Sequence, residues 1–345
     1  RGTGNPCITM FNRGGEPMVF DPLYSADRQN NAHMLILGPT GAGKSATLVS
    51  MLAHTMAVHR PRLFVIEAGN SFGLLGDYFR GNGLTVNRVS LRPGSNVSLS
   101  PYADAHLVLE ERAYGSVYSA DDDDLDDAEG RDVLGEMEIV ATLMISGGEE
   151  REAARLTRSD RKRIQEAIIL AAQTASQDQR VCQTEDVRNA FYALSKSEDF
   201  DEDVRRRVQE MGDAVGLFCE GFTGEVFNQP GQAWEEADVT IIDLATFARE
   251  GYEAHLAISV VSCLNMINNI AEREQFASRE IVVTIDEAHI ITTNPLLAPF
   301  LVQNMEDYPD AAKKMLNMVE WWLCLVMPKE EIEAIARFRK VDDAQ

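Results

Sequence analysis

The sequence predicts an α/β fold with a mostly parallel sheet and an inserted all-α subdomain, and three observations carry that expectation. A glycine-rich loop, Gly38-Pro39-Thr40-Gly41-Ala42-Gly43-Lys44-Ser45, joins an apolar run of strand length (33–37) to a segment with helical spacing (46–58). Further short apolar runs at 63–66, 85–91, 239–244 and 281–285 alternate with helical stretches, the pattern of parallel strands joined by crossovers. Between residues 103 and 231 the character changes to long, charge-rich helical periodicity with few strand signals.

Taken in order, residues 7–11 and 17–20 are β-type runs broken by Arg13-Gly14-Gly15 and closed by Asp21-Pro22, a lead-in hairpin. The strand 33–37, the loop and the helix 46–58 follow, the helix showing Leu48, Met51, Leu52 and Met56 on one face. The second strand, 63–66, ends in Glu67, and the third, 85–91, runs into Arg92-Pro93-Gly94. The acidic run Asp121–Asp127 reads as a solvated loop. Helical periodicity returns at 133–145, 161–172, 184–194 and 204–218. The sheet resumes with 239–244, a helix at 254–272 and the strand 281–285. The expected units are therefore 1–102 (first part of the α/β core with its hairpin), 103–231 (helical subdomain) and 232–345 (second part of the core).

Composition narrows the function. Among 345 residues, 55 Asp and Glu stand against 32 Lys and Arg, a formal charge of −23. Phosphate backbones are bound by Lys and Arg displacing counterions, so wholesale coating of nucleic acid is excluded. Cys7, Cys182, Cys219, Cys263 and Cys324 are scattered without a CxxC pair, which reads as reduced thiols in a cytoplasm-like compartment. The continuous apolar runs are far shorter than the ~20 residues that cross a bilayer. The chain opens on Arg1 with no Met, and the expectation is a piece of a longer protein.

The loop Gly38-x4-Gly43-Lys44-Ser45 fits the P-loop pattern in full. Its glycines let the backbone bend so that successive N–H groups face phosphate oxygens at a helix N-terminus. Lys44 adds a point charge on the β- and γ-phosphates, and the Ser45 hydroxyl is suited to Mg²⁺. Gly38, Pro39, Thr40, Gly41, Ala42, Gly43, Lys44, Ser45 and Ala46 are thus the expected nucleotide contacts. The matching partner is an apolar strand ending in acids, Ile281-Val-Val-Thr-Ile-Asp286-Glu287, in which Asp286 holds Mg²⁺ through water and Glu287 positions or deprotonates the attacking water. Asp243 ends a similar strand, but Leu244-Ala245 offers no second acid, so it reads as structural. Glu67 lies at the sheet edge where ligands of open α/β folds bind. Gln303-Asn304 are placed to sense the γ-phosphate, and Arg337, Arg339 and Arg249 are candidate arginine fingers. His289 reads as a hydrogen-bonding histidine, and Trp321-Trp322 with Met315, Leu316, Met318 and Val319 as core rather than a base-stacking platform.

The segment 33–45, the Asp286-Glu287-Ala-His289 strand end, Gln303-Asn304 and 309–317 together resemble the TraC-type conjugative-transfer ATPases of type IV secretion systems, in the FtsK/HerA branch of P-loop ATPases. The resemblance implies a RecA-like motor domain with an all-α subdomain, and ATP with Mg²⁺ as substrate and metal. It also implies a hexamer among other secretion components at the cytoplasmic face of the bacterial inner membrane, Glu287 as the catalytic glutamate and Gln303 as the sensor. A DNA translocase or coupling protein and a nucleotide-gated assembly scaffold are the alternatives; DNA binding finds no support in the net charge. One departure stands out. The family sets a crossover helix and a strand between the Asp-Glu strand and the sensor. The segment from Ala288 to Val302, broken by Pro295 and Pro299, is too short for both, so residues are expected to be missing between about Phe300 and Gln303.

Overall fold

The computed structural model describes residues 7–11, 14–27, 32–39, 41–115, 132–231, 234, 236–274, 279–286 and 321–325. The proposed gap near Phe300, the acidic run after Ser119, and Glu287, His289, Gln303, Arg337 and Arg339 lie outside these residues, as does Thr40.

The hairpin forms as β1 (Ile8–Phe11) against β2 (Pro17–Phe20), antiparallel with Ile8 opposite Phe20. β3 (Met34–Leu37) leads into the glycine loop and α1 (Lys44–His59). β4 (Arg62–Glu67), α2 (Gly73–Gly81) and β5 (Val86–Ser90) follow. After the helical middle come β6 (Val239–Asp243), α10 (Glu253–Glu274), β7 (Ile281–Ile285) and β8 (Trp321–Cys324). β5, β6, β4 and β7 form one four-stranded sheet in that order, every pairing parallel. β3 pairs in parallel with β8 in a second, two-stranded sheet. Trp321-Trp322 therefore belongs to a strand, half-buried, with the Trp321 ring 5.6 Å from that of Phe20; Met315, Leu316, Met318 and Val319, expected in the core with it, lie outside the described residues.

Strand alternation explains how both faces of the larger sheet are covered. Leu63 and Val65 of β4, with Val239 and Ile241 of β6, face Leu52 and Met56 of α1 and Leu75 and Phe79 of α2. Phe64 and Ile66, with Ile242 and Leu244, join the larger core on the opposite face. α1 also sends Met51 to a third cluster with Cys7 and Ile8 of the hairpin, packed by Met34 and Ile36 of β3 and Leu323 of β8. A single helix thus fastens the glycine loop, the hairpin and both sheets together.

The middle is helical as expected: α3 (Ala105–Gly115), α4 (Val133–Ser146), α5 (Glu150–Ala153), α6 (Arg158–Gln177), α7 (Thr184–Leu194), α8 (Glu202–Gly216) and α9 (Gly221–Phe227). Their starts follow local chemistry. Asp132 accepts from the Gly135 N–H, Asp201 from the Val204 N–H, and Thr157 and Asp160 cap α6 reciprocally, each occupying backbone donors that the helix leaves open. Ile164, Ile168 and Phe191 of these helices share one core with Phe64 and Ile66, so the bundle rests on the sheet. Arg163 pairs with Glu166 at 2.5 Å and Arg206 with Asp203 at 2.9 Å within their own helices, and Arg207 of α8 pairs with Asp160 of α6. α10 is long and apolar enough to cross a membrane, yet 67% of its apolar stretch is buried, with Ile258, Val261 and Cys263 fully enclosed; here it is a core helix. All five cysteines are free thiols.

Candidate functional site

The glycine loop leaves β3 and turns sharply into α1. The Ala42 N–H donates to the Pro39 carbonyl at 3.1 Å, and Gly41 and Gly43 stand at φ 81° and 90°, in the left-handed region where a side chain is strained. A Cβ at either position would meet nothing within 4 Å, so the loop mouth is open on that side. Gly38 is different. A Cβ there would sit 3.1 Å from the Leu325 Cβ, because the Leu325 N–H donates to the Leu37 carbonyl at 2.9 Å and carries the chain after β8 against the base of the loop. β8 thus buttresses the loop, a role that the sequence reading did not assign to it.

α1 begins with no side-chain cap and no acid in its first turn. Its leading N–H groups and the positive end of its dipole are therefore left for an anion. The Lys44 ammonium folds back to donate to the carbonyls of Gly38 at 2.8 Å and Pro39 at 3.2 Å, which holds a full positive charge over the same mouth. Ser45 is half-buried at the helix start, and Ala46 is exposed beside it. An open mouth, an uncapped helix and a fixed cation are the donor set that a polyphosphate requires.

Three carboxylates close neighbouring strands of the larger sheet at its C-terminal edge. Asp243 of β6 stands in register with Glu67 of β4, and the Asp286 N–H after β7 donates to the Ile66 carbonyl at 2.9 Å. Asp243 is tied down: its carboxylate accepts from the Ala245 N–H at 3.0 Å and lies 3.7 Å from an Arg92 guanidinium nitrogen, in keeping with a structural strand end. Glu67 does not project into the open as expected, being only 2% exposed. One oxygen accepts from the Phe72 N–H at 3.1 Å, and the other, Oε1, is buried without a hydrogen-bond partner. Burial raises its pKa, and the neighbouring Asp243 and Asp286 charges add to the effect against the hydrogen bonds from Phe72 and Ser71. The sequence held the signal for this row, since β4, β6 and the β7 strand each end their apolar run in an acid.

Of the predicted residues, Gly38, Pro39, Gly41, Ala42, Gly43, Lys44, Ser45 and Ala46 converge on one loop and helix start, and Glu67 and Asp286 meet on adjacent strand ends. Arg249 is exposed after β6, its carbonyl accepting from the Tyr252 N–H at 3.1 Å. No family model matches the chain, and neither does any curated protein. Among solved structures, VirB4 of Thermoanaerobacter pseudethanolicus matches with a TM-score of 0.71 at 14% identity, over 99% of this chain and 89% of that one. A bacterial conjugative coupling protein, TrwBdeltaN70, solved in complex with sulphate, gives a TM-score of 0.48 at 11% identity over 90% and 66%. The chain has an α/β fold with parallel sheets and many helices, shared with VirB4, and the resemblance to TraC-type proteins fits that likeness of fold.

Proposed function

We propose that this chain is an ATPase motor domain that energises type IV secretion or conjugative transfer by Mg²⁺-dependent ATP hydrolysis. The observation that carries the reading is the loop itself: left-handed Gly41 and Gly43, an uncapped α1 and the Lys44 ammonium over one open mouth, on a fold shared with VirB4. In this reading the loop N–H groups and Lys44 hold the β- and γ-phosphates and draw off charge as the terminal phosphoryl group leaves. Ser45 and Asp286 are the residues that would hold Mg²⁺, which when bound would supply positive charge to the phosphates. Glu287 orients the attacking water and takes its proton, Gln303 senses the γ-phosphate, and Arg249, Arg337 or Arg339 of a neighbouring subunit completes the charge cluster. The units 1–102, 103–231 and 232–345 then act as a split core carrying a helical subdomain. The ring is a hexamer on the cytoplasmic side of the inner membrane, among other secretion components.

The translocase alternative calls for a basic track. Arg163 and Arg206 are instead neutralised by acids on their own helices, and Arg207 by Asp160 on α6. The test is Glu287→Gln. Removing a general base lowers turnover by about 10²–10⁴-fold while Mg²⁺–ATP binding persists; hydrolysis at the wild-type rate would remove Glu287 from the mechanism.

A further inference from the structure

Far from the nucleotide loop, the other end of α1 gathers three side chains of different metal-binding chemistry. Cys7 precedes β1, Asp21 follows β2, and His59 is the last residue of α1. One ligand atom from each, the Cys7 Sγ, an Asp21 carboxylate oxygen and a His59 ring nitrogen, all lie within 4.8 Å of one another. We propose that Cys7, Asp21 and His59 form a binding site for a zinc-type divalent cation that staples the N-terminal hairpin to the end of α1.

Asp21 and Cys7 are also held from behind, which distinguishes a built site from a chance meeting of polar groups. Asp21 is fully buried; its Oδ1 accepts from the Leu23 N–H at 3.0 Å, which leaves Oδ2 aimed at His59 Nε2, 2.8 Å away. On the other side of the ring, the half-exposed Glu280 carboxylate lies 3.6 Å from His59 Nδ1, beyond hydrogen-bond length but near enough to close into the carboxylate–histidine pairing of a ligating imidazole. The Thr55 hydroxyl of α1 hydrogen-bonds the Cys7 sulfur.

The donor set selects the ion. A thiolate and an imidazole favour zinc-type cations over Mg²⁺ or Ca²⁺, which prefer oxygen throughout. Bonds of about 2.3 Å to sulfur and 2.0–2.2 Å to nitrogen and oxygen put tetrahedral ligands about 3–4 Å apart, so the cluster needs only a small rearrangement to close around an ion. Charge balances too. Binding replaces the Cys7 thiol proton, and one thiolate with one carboxylate neutralises a divalent ion in a buried setting. Water takes the fourth position on the side where His59 is partly exposed. The consequence is mechanical: among the described residues β1 and β2 pair only with each other, and a two-stranded ribbon is marginal alone. The ion would anchor that ribbon to the helix whose other end carries Lys44.

The experiment is a Co²⁺ titration of the full chain in metal-free, reducing buffer. The expected result is one equivalent bound, with a thiolate-to-cobalt charge-transfer band and the visible bands of a tetrahedral site, competed away by Zn²⁺. Cys7→Ser abolishes the charge-transfer band and His59→Gln weakens binding at least tenfold, while Lys44→Ala leaves the spectrum unchanged. Zn²⁺ raises the Tm of the wild type and not that of His59→Gln, whose partly exposed position keeps the test open if Cys7→Ser does not fold. A folded wild type without the charge-transfer band, or a His59→Gln protein that binds as wild type does, overturns the proposal.

Discussion

A bidentate polar junction between two helices of the middle region makes a quantitative prediction. The Asp160 carboxylate at the start of α6 receives the Arg207 guanidinium of α8 through Nε and Nη2, both at 2.6 Å, and the Thr157 N–H and hydroxyl, both at 2.8 Å. Asp160 is buried, whereas the Arg207 side chain is 46% exposed, so water weakens the attraction without removing it. Asp160→Asn keeps one acceptor oxygen for the cap but turns an amide toward the arginine fork and deletes the charge. Charged hydrogen bonds contribute roughly 1.5–3 kcal/mol and a cap about 1 kcal/mol. After discounting for the exposed arginine, the expected loss is about 2–3 kcal/mol. Burial opposes ionisation of Asp160, but the Arg207 and Thr157 hydrogen bonds outweigh it and hold the pKa below the usual carboxylate value. A depressed pKa stabilises the fold above the unfolded-state value near 3.9 and loses that contribution as pH falls through the folded value. Urea unfolding followed by far-ultraviolet circular dichroism at pH 7 and at descending pH checks both parts. A variant within about 0.5 kcal/mol of wild type at pH 7, or a difference that does not shrink below about pH 4, refutes the reasoning.

Two further outcomes follow from the site geometry. Glu67 is the opposite case: its raised pKa means that the folded state holds the proton more tightly, so stability falls as pH rises above 4.5, its ordinary value. Glu67→Gln, whose oxygen still accepts from Phe72, should gain stability relative to wild type as pH is raised from about 5 to 8, measured by denaturant midpoints; a loss at pH 8 contradicts the burial argument. Gly43→Ala forces a side chain into φ 90°, a strain of about 1–2 kcal/mol at the first donors of α1. Calorimetry should find Mg²⁺–ATP affinity lowered more than tenfold with the circular dichroism spectrum unchanged.

What the sequence disclosed tracks how local the determining physics is. β7 and α7 were legible to the residue, because Ile281–Ile285 is a pure β-branched run with a single Thr and Thr184–Leu194 starts on an acidic first turn. The glycine loop was legible because its backbone conformation needs specific residues. Helix ends were misjudged where caps decide them: α6 extends to Arg158 because Thr157 and Asp160 cap each other, beyond the apolar periodicity that begins later. β8 was hidden, since Trp-Trp-Leu-Cys is too short to show a period and its partner β3 is remote in the chain. Glu67 was recognised at a strand end, but its burial arises from Phe72 folding back onto it, and only the folded chain shows that.

Phosphate release from ATP by the purified chain, with and without Mg²⁺, compared with Lys44→Ala, tests the central claim most directly. Lys44 is held over the loop mouth by Gly38 and Pro39 and leaves no other ammonium there among the described residues. The account predicts Mg²⁺-dependent hydrolysis by the wild type and a loss of about two orders of magnitude or more in the variant, with its fold intact. Equal release by both proteins, or a wild type that does not bind ATP, would contradict it.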